Sequence, residues 1–247
     1  MAHPCLHDRA WLAYSYPMLN KTSLMIAMAM TATLLAGCKQ KADSGNLKTS
    51  SLAATFRITD DPSGNAAAFA QLMQGSRYLD LNNGDGLYCD NVKLAKNDEL
   101  LSGIDYEGTI PRRPVGDSYI FEFRRPSTGE YLYSYAIAPT PMVITAPANA
   151  TTIDPLASLQ VAWEVASPSG IKIEVTGTGL KKGYSSSLAD QGSFTIPAGS
   201  LLCSDELISC EATLTLSRTV MGKGDIDFQS AKVESISQAS VSIKIGM

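Results

Sequence analysis

Apolar and polar residues alternate along much of this chain with a period of two, which is typical of β-strands that bury one face. The runs "SYIFEFRR" and "YLYSYAIA" are joined by "RPSTGE", which is rich in turn-forming residues, so they predict a β-hairpin. The stretches "LAATFRI", "YLDL" and "LYCDNVKL" are further strand candidates, and "NAAAFAQLM" favours a strand or irregular structure over a short helix. The shared apolar faces of the hairpin are Tyr119, Phe121 and Phe123 in one run, and Tyr131, Tyr133, Tyr135 and Ile137 in the other.

The alternation is clearest beyond residue 155, where turn sequences such as "SPSG" and "IPAG" separate short runs. Short strands at this spacing, without helical stretches, indicate a β-sandwich. The apolar faces are Leu159, Val161, Trp163 and Val165; Ile171, Ile173 and Val175; Leu214 and Leu216; and Val241, Ile243 and Ile245.

Residues 138–155 contain four prolines and a short β-run, "MVIT", and this composition predicts a domain boundary. We therefore expect an all-β protein with two tandem antiparallel β-sandwich-like domains, at residues 52–139 and 140–247. The stretch "ITAPANATTIDPLASLQVAWEV" resembles the start of fibronectin-type-III and bacterial Ig-like modules, where a proline follows the first strand and a core tryptophan ends a later one. That resemblance implies an Ig-like second domain with Trp163 in its core.

The 14 residues from Thr22 to Leu35 carry no charge, and they are too few for a membrane-spanning helix, which needs about 20. They fit the apolar part of a secretory signal peptide, with Lys21 supplying the preceding positive charge. The run ends in "LAGC", which resembles the lipobox of bacterial lipoproteins. The resemblance implies a signal peptide at residues 1–37, cleavage before Cys38, and fatty acyl groups such as palmitate on the mature amino terminus.

Residues 1–17 fit this scheme poorly because they place an acidic residue and a proline before the signal peptide, so translation is expected to begin at Met18. The residue after Cys38 is lysine rather than aspartate, which resembles the outer-membrane default of Gram-negative lipoproteins. The predicted location is therefore the bacterial cell envelope, anchored by lipid to the outer membrane. Residues 38–51 are polar and are expected to form a flexible tether.

Removal of residues 1–37 leaves 210 residues and no histidine, because both histidines lie in the removed part. This excludes a Ser-His-Asp triad, a Cys-His pair and histidine-ligated metal sites. The whole chain carries a net charge of −4, and the removed segment contributes +1, so the mature chain carries −5. A mildly acidic chain of this kind gives no indication of nucleic-acid binding.

The remaining cysteines divide into a close pair and a single thiol. An exported protein can form disulfides, so Cys203 and Cys210, which bracket "CSDELISC", are predicted to pair. Cys89 is then expected to be a buried thiol, since no histidine is present to activate it as a nucleophile.

The stretch "DLNNGDGLYCD" holds oxygen ligands near glycines, as calcium loops require. Asp80, Asn82 and Asp85 are the candidate metal ligands. The EF-hand spacing fails, however, because glycine stands at the fifth position and no glutamate follows at the twelfth. A hairpin turn at Asn-Gly is the favoured interpretation, with no cofactor expected and calcium as the alternative.

Two surface sites remain as hypotheses. Tyr131, Tyr133 and Tyr135 are expected to face the core, and a sugar-stacking ligand face is the alternative. "PRRP" and "FRRP" bring together four arginines, which are expected to form a solvated strand edge, with an anion or lipid-headgroup site as the alternative. These arginines are Arg112, Arg113, Arg124 and Arg125.

The pattern favours a membrane-anchored, non-enzymatic binding or scaffold module, with an envelope protein or glycan as its partner. The alternative is a hydrolase acting on carbohydrate or peptidoglycan. Such an enzyme needs two carboxyl groups about 5–10 Å apart in a cleft and no histidine. Its candidate acids are Asp80, Asp85, Asp105 and Glu107.

Overall fold

The computed structural model describes residues 41–60, 64–99, 103–165, 170–204 and 207–246. The predictions for the signal peptide, for the start at Met18 and for lipid on Cys38 therefore lie outside the described residues. Within the described ranges, no helix is long and apolar enough to cross a membrane.

These residues form eighteen β-strands and two short 3-10 helices, Ser44–Asn46 and Thr49–Ser51, so the all-β prediction is confirmed. The first ten strands are β1 (Lys41–Asp43), β2 (Ala53–Asp60), β3 (Asn65–Gln74), β4 (Arg77–Asp80), β5 (Gly86–Cys89), β6 (Val92–Lys93), β7 (Ala95–Glu99), β8 (Gly103–Pro111), β9 (Ser118–Arg125) and β10 (Glu130–Ile137). The others are β11 (Ile144–Ala146), β12 (Thr151–Ile153), β13 (Leu159–Trp163), β14 (Gly170–Thr176), β15 (Tyr184–Ala189), β16 (Ser193–Ile196), β17 (Ser209–Met221) and β18 (Ser230–Gly246).

The strands form one large sheet of 11 strands and two small sheets of four and three strands. The main path of the large sheet runs β1-β4-β3-β2-β18-β17-β14-β15, with β7, β8 and β12 attached beside it. The small sheets have the orders β10-β9-β5-β6 and β11-β13-β16. Most neighbouring strands are antiparallel, as expected, but β1–β4, β2–β18 and β12–β18 are parallel pairs. The ion pair between Arg57 and Glu234, at 2.8 Å, crosses the β2–β18 pair.

Two hydrophobic cores lie between these layers. The first is rich in aromatic rings, including Phe56, Phe121 and Phe123, and the second is mainly aliphatic around Trp163. Phe228 and Val233, from the C-terminal part of the chain, belong to the first core. The last strand, β18, therefore serves both cores, and the predicted domain bounds at residues 139 and 140 stay a prediction.

The apolar alternation of the second half is largely reproduced in the structure. Most residues predicted to point inward are buried, and Trp163 is 3% exposed. Val241 is partly buried, and Val165 is 63% exposed because β13 ends at Trp163 and the alternation does not continue past it.

The expectation of a flexible tether through residue 51 is wrong for its described part. β1 pairs in parallel with β4, and the two 3-10 helices follow it. Ala42, Ser44 and Thr49 are all buried. The polar composition misled the prediction because hydroxyl and amide groups of this segment are satisfied by the protein rather than by water.

Two turns differ from their predicted roles. "LYCDNVKL" is not one strand but the β5–β6 hairpin, which turns at Asp90 and Asn91, both with positive φ. The Asn83-Gly84 turn has the expected positive φ values, 52° and 87°. It joins β4 to β5, which belong to different sheets, so it is a crossover between layers rather than a hairpin. "NAAAFAQLM" forms strand β3.

Candidate functional site: a tyrosine-bearing sheet face

The β9–β10 hairpin forms as predicted, but β10 presents the opposite face to the core. Tyr131, Tyr133 and Tyr135 are 52%, 41% and 40% exposed, whereas Leu132, Ser134 and Ala136 are buried. The expectation that the tyrosines face the core is therefore wrong. The hydrogen-bonded register pairs Tyr133 with Glu122, which places both on the outer side of the sheet.

The reason lies in the space beneath the hairpin. In the first core the Phe56 and Phe121 ring centroids lie 4.9 Å apart, and the Phe228 ring packs against Phe56 and Phe123 at 5.9 and 6.2 Å. The backbone at Gly222 also comes so close to β10 that a Cβ there would collide with the Tyr135 carbonyl. Only small or slender side chains fit the inner face of β10, so its larger residues point outward.

We call the outer surface of the β10-β9-β5 strands the tyrosine face. Tyr131, Tyr133 and Tyr135 form one row along β10, with successive Cβ atoms about 7 Å apart as in any strand. Tyr88 of β5 belongs to the same face, since its neighbours Leu87 and Cys89 are buried on the other side. The paired register aligns Tyr88, Glu122 and Tyr133 across three strands.

Between the rings lies a hydrogen-bonded charge pair. Arg124 donates to Glu122 at 2.6 Å, and the Tyr133 hydroxyl donates to the same carboxylate at 3.2 Å. The Arg124 guanidinium stacks over the Tyr88 ring, 3.9 Å from its centroid. The bond to Glu122 raises the pKa of Arg124, and desolvation followed by the Glu122 charge raises the pKa of Tyr133. The face is thus aromatic, with hydrogen-bonded polar groups among the rings.

The edge of β10 that does not pair with β9 is covered by residues 223–225 of the same chain. Tyr135 and Lys223 exchange two backbone hydrogen bonds at 2.7 and 2.8 Å, and the Tyr133 amide donates to Asp225 at 2.8 Å. The covering segment blocks strand addition at this edge. A partner at this site would therefore meet the tyrosine face rather than the strand edge.

A groove of about 650 Å³ adjoins the Tyr131 end of the face. Its walls come from residues 45–50, from the β9–β10 turn and from residues 226–228. Glu130, in its wall, accepts hydrogen bonds from Thr49 at 2.8 Å and from Arg125 at 2.9 Å. The Thr49 hydrogen bond, followed by Thr128 and Arg125, holds the pKa of Glu130 below its usual value. A carboxyl with a lowered pKa stays ionised and is unsuited to donate a proton in glycoside cleavage.

Arg125 lies beneath the groove and is 1% exposed. Sequence reasoning placed it on a solvated edge, and that prediction is wrong for this residue. The alternation of β9 did contain the signal, because Arg125 continues the inward row of Tyr119, Phe121 and Phe123. The groove itself was not predicted, since its walls come from three separate parts of the chain.

The other arginines of the predicted cluster do not form an anion site. Arg112 pairs with Asp60 at 2.9 Å, Arg113 with Asp90 at 2.6 Å, and Arg124 with Glu122. Each positive charge is therefore matched locally by an acid. The anion-site alternative loses its physical basis, because an anion would have to displace those carboxylates.

The candidate calcium ligands also serve other contacts. Asp80 pairs with Lys96 at 2.8 Å, the Ser44 hydroxyl donates to Asn82 at 3.0 Å, and Asp85 faces Arg125 at 3.4 Å. Their side chains thus have three different partners. Within the described ranges no group of three or more His, Cys, Asp or Glu side chains is placed to hold a metal ion.

The candidate acids of the hydrolase alternative are similarly dispersed. A cavity of about 370 Å³ near β5 is lined by Asp85, beside Lys93, Lys96 and Tyr106. Of the four candidate acids, Asp85 is the one found in its lining, and it faces the buried Arg125. The other three line neither this cavity nor the groove, so neither space brings two of the four candidate acids together as glycoside cleavage needs.

The cysteines occupy two different environments. Cys203 and Cys210 form a disulfide with an S–S distance of 2.15 Å. Cys89 is a buried free thiol, and burial is the main cause that raises its pKa. A thiol held in its neutral form inside a core is a poor nucleophile, so Cys89 contributes packing.

Comparisons with known proteins identify no family. No protein-family model matches the chain, and no curated protein does. Similar solved structures include a cytokine receptor complex (TM-score 0.30, 10% identity, covering 75% of this chain and 94% of that one). Titin Ig tandem domains match with TM-score 0.22 and 8% identity over 81% of this chain and 95% of that one.

A Bacteroides ovatus protein of a mixed-linkage glucan utilization locus, in complex with a mixed-linkage heptasaccharide, matches with TM-score 0.20 and 9% identity. The match covers 78% of this chain and 60% of that one. Likenesses of this size carry no weight for function. The narrower resemblance of the second half to fibronectin-type-III and Ig-like modules stays a prediction.

Proposed function

We propose that this protein is a lipid-anchored protein of the bacterial cell envelope that binds a linear glycan on its tyrosine face without chemical conversion. The observation that carries the proposal is the row of three outward tyrosines on β10, each at least 40% exposed. Large exposed aromatic rings in a row are costly to leave in water and mark a binding surface. The lipid anchor rests on the "LAGC" motif of the sequence.

A glycan suits the geometry of this face. Rings repeated about every 7 Å along one strand offer stacking positions to a polymer that is itself built of repeated rings. The flat C–H faces of sugar rings pack on aromatic rings, and their hydroxyls need polar partners nearby. Glu122 and Arg124 are fixed between the rings and supply both acceptor and donor groups.

Hydrogen bonds hold parts of this face in place before any ligand arrives. Tyr133 is held by Glu122, and the β10 edge is held by Lys223 and Asp225. Preorganised side chains lose less conformational entropy on binding, which raises affinity for a given contact area. The groove beside Tyr131 extends the same surface and gives a polymer room to continue past the end of the strand.

The test of the binding site uses the variant Y131S/Y133S/Y135S and its affinity for peptidoglycan fragments and envelope polysaccharides. We expect at least about a tenfold loss of affinity, since a single aromatic anchor is commonly worth more than 1 kcal/mol. The control variant L156S/V165S removes two exposed apolar side chains elsewhere, at 74% and 63% exposure, and should bind normally. Unchanged binding in the triple variant would exclude the tyrosine face as the glycan site.

The test should also separate a glycan from a protein partner. Crosslinking pull-down from native membranes, with the wild-type chain and the triple variant, identifies proteins that depend on the same rings. If a protein is captured through the tyrosines and no polysaccharide binds, the glycan proposal fails. The anchor is tested by mass analysis of the mature protein, in which C38A should abolish the lipid and release the chain from membranes.

A further inference from the structure

The first described residues are bound firmly to the folded body. β1 begins at Lys41 and pairs in parallel with β4, and Lys41 forms an ion pair with Asp98 at 2.6 Å. Ala42 and Ser44 are 8% and 1% exposed. The folded part of the protein therefore extends to within a few residues of Cys38 in the sequence.

Contacts from inside the protein hold the segment that follows β1. Arg125 donates to the Ser44 carbonyl and to the Thr49 hydroxyl, both at 2.9 Å. The backbone N–H of Asn82 donates to the Ser44 hydroxyl at 3.1 Å. Because these bonds are buried or partly buried, releasing the segment would leave polar groups without partners. The segment is therefore a fixed part of the groove wall.

We infer that the lipidated protein is held directly against the bilayer, with the β1 edge and the groove next to the lipid headgroups. This inference rests on the proposed lipid at Cys38. Only Lys39 and Gln40 lie between that cysteine and β1. Three residue steps span at most about 11 Å, so the anchor leaves the folded body no room to move away.

The sheet order gives this contact a direction. β1 and β15 stand at opposite ends of the main path, seven strand spacings apart, which is about 34 Å at 4.8 Å per spacing. The same reach argument limits Gly45, in the groove wall, to about 25 Å from Cys38. The groove belongs to the membrane-proximal end of the molecule and β15 to the distal end.

The surface around β1 is suited to headgroups rather than to the acyl interior. Lys41, Lys96, Asp80 and Asp98 form a network of ion pairs whose side chains are 35% to 52% exposed. Charged groups of this kind stay in water or among polar headgroups. The ligand of the adjoining groove must then be one that is presented near the bilayer surface.

The experiment compares two labelled positions in the full, lipidated protein. Variants S50C, in the groove wall, and S187C, on β15, each add one exposed thiol for a fluorophore, while Cys89 is buried and unreactive. The proteins are reconstituted in phosphatidylethanolamine–phosphatidylglycerol vesicles that carry a quencher on the headgroup. We expect quenching to be several-fold stronger at position 50 than at position 187.

A spacer variant provides the matched control. A flexible Gly-Ser insert of about 20 residues between Gln40 and Lys41 adds roughly 25 Å of root-mean-square reach and should remove most of the difference. Equal quenching at the two positions in lipidated protein without the spacer would overturn the inference while leaving the anchor intact. A mature protein whose mass shows no lipid on Cys38 would overturn the proposed anchor, and the inference with it.

Discussion

In the described part of the chain two arginines are buried, one in each half, and they have different roles. Arg125 and Arg218 are both 1% exposed. Arg218 meets a single acid, Asp190, whose side chain is also 1% exposed. Arg125 meets two acids, of which Asp85 is fully buried at 3.4 Å and Glu130 is 42% exposed at 2.9 Å. Arg218 is buried in the second half with its acid, whereas Arg125 lies beneath a surface groove.

The remaining partners explain this difference. Arg218 donates to the carbonyls of Thr140, Pro141 and Glu164, so it ties β17 to the chain that enters and leaves the second core. Arg125 donates to Ser44 and Thr49, and so docks the first described segment. A guanidinium with five donors can join several distant segments at once. Arg218 therefore joins segments around the second core, whereas Arg125 holds the first described segment in place.

The largest effect is expected from R218M. The substitution removes the guanidinium that pairs at 2.9 Å with the buried Asp190 carboxylate, to which the Trp163 indole also donates at 2.7 Å. Loss of one partner from a buried ion pair costs about 3–5 kcal/mol. Urea denaturation monitored by tryptophan fluorescence should show a loss of this size in a single cooperative transition. A loss of unfolding free energy below about 1 kcal/mol would mean that the Arg218 contacts do not stabilise the second half.

R125M should cost less, about 2–3 kcal/mol, because its contact with the buried Asp85 is longer, at 3.4 Å against 2.9 Å for Arg218 with Asp190, and because Glu130 can turn to water. The sharper readout is local. Limited proteolysis should cleave the variant within residues 44–52, while the rest of the chain stays resistant. Uniform proteolysis along the chain would contradict the docking role and make the two arginines equivalent.

Removal of the disulfide by C203S/C210S is expected to cost about 2.5 kcal/mol on the chain-entropy model for a closed loop of eight residues. The loss should appear in the melting of the second core, and wild-type protein in reductant should behave like the variant. C89S removes the buried thiol of the first core but keeps the disulfide, so it should respond to reductant as wild type does, whereas C203S/C210S should be insensitive to reductant. A wild-type protein unaffected by reductant would contradict the expected contribution.

The smallest effect concerns pH and Glu130. Its folded-state pKa is lowered, chiefly by Thr49, so it stabilises the fold above the unfolded value of about 4.3. That contribution is lost as the pH falls through the folded-state pKa. Because the side chain is 42% exposed, the effect should stay below about 1 kcal/mol.

The measurement compares wild type and E130Q by urea denaturation between about pH 7 and pH 3. The stability difference should be largest near neutral pH and should shrink in acid. If the difference in unfolding free energy between wild type and E130Q grew as the pH fell, the predicted sign of the Glu130 contribution would be wrong.

The hairpin shows how far local pattern reaches. The alternation and the turn residues between β9 and β10 were sufficient to predict two paired strands, which formed. They could not say which face of β10 is inward, because both faces contain residues compatible with burial. The rings of the first core and the close approach at Gly222 left room only for Leu132, Ser134 and Ala136.

The segment near the start of the described chain shows the same limit. Residues 41–51 are polar, and polarity predicted a tether. Their burial depends on Arg125, on Asn82 and on strand β4, which lie 30 or more residues away in the sequence. No local pattern could indicate that such distant partners would satisfy this segment's polar groups.

The amino-acid order was therefore enough for the all-β class, the β9–β10 hairpin and the inward rows of the second half, since strand alternation and turn geometry are local properties. The pairing of β2 with β18, the burial of Arg125, the groove and the outward tyrosines depended on contacts between distant parts of the chain. Those contacts follow from the space and the hydrogen-bonding groups that remain once the layers pack together. The tyrosines of β10 lie on the surface because the residues on the opposite side of the strand pack into the first core.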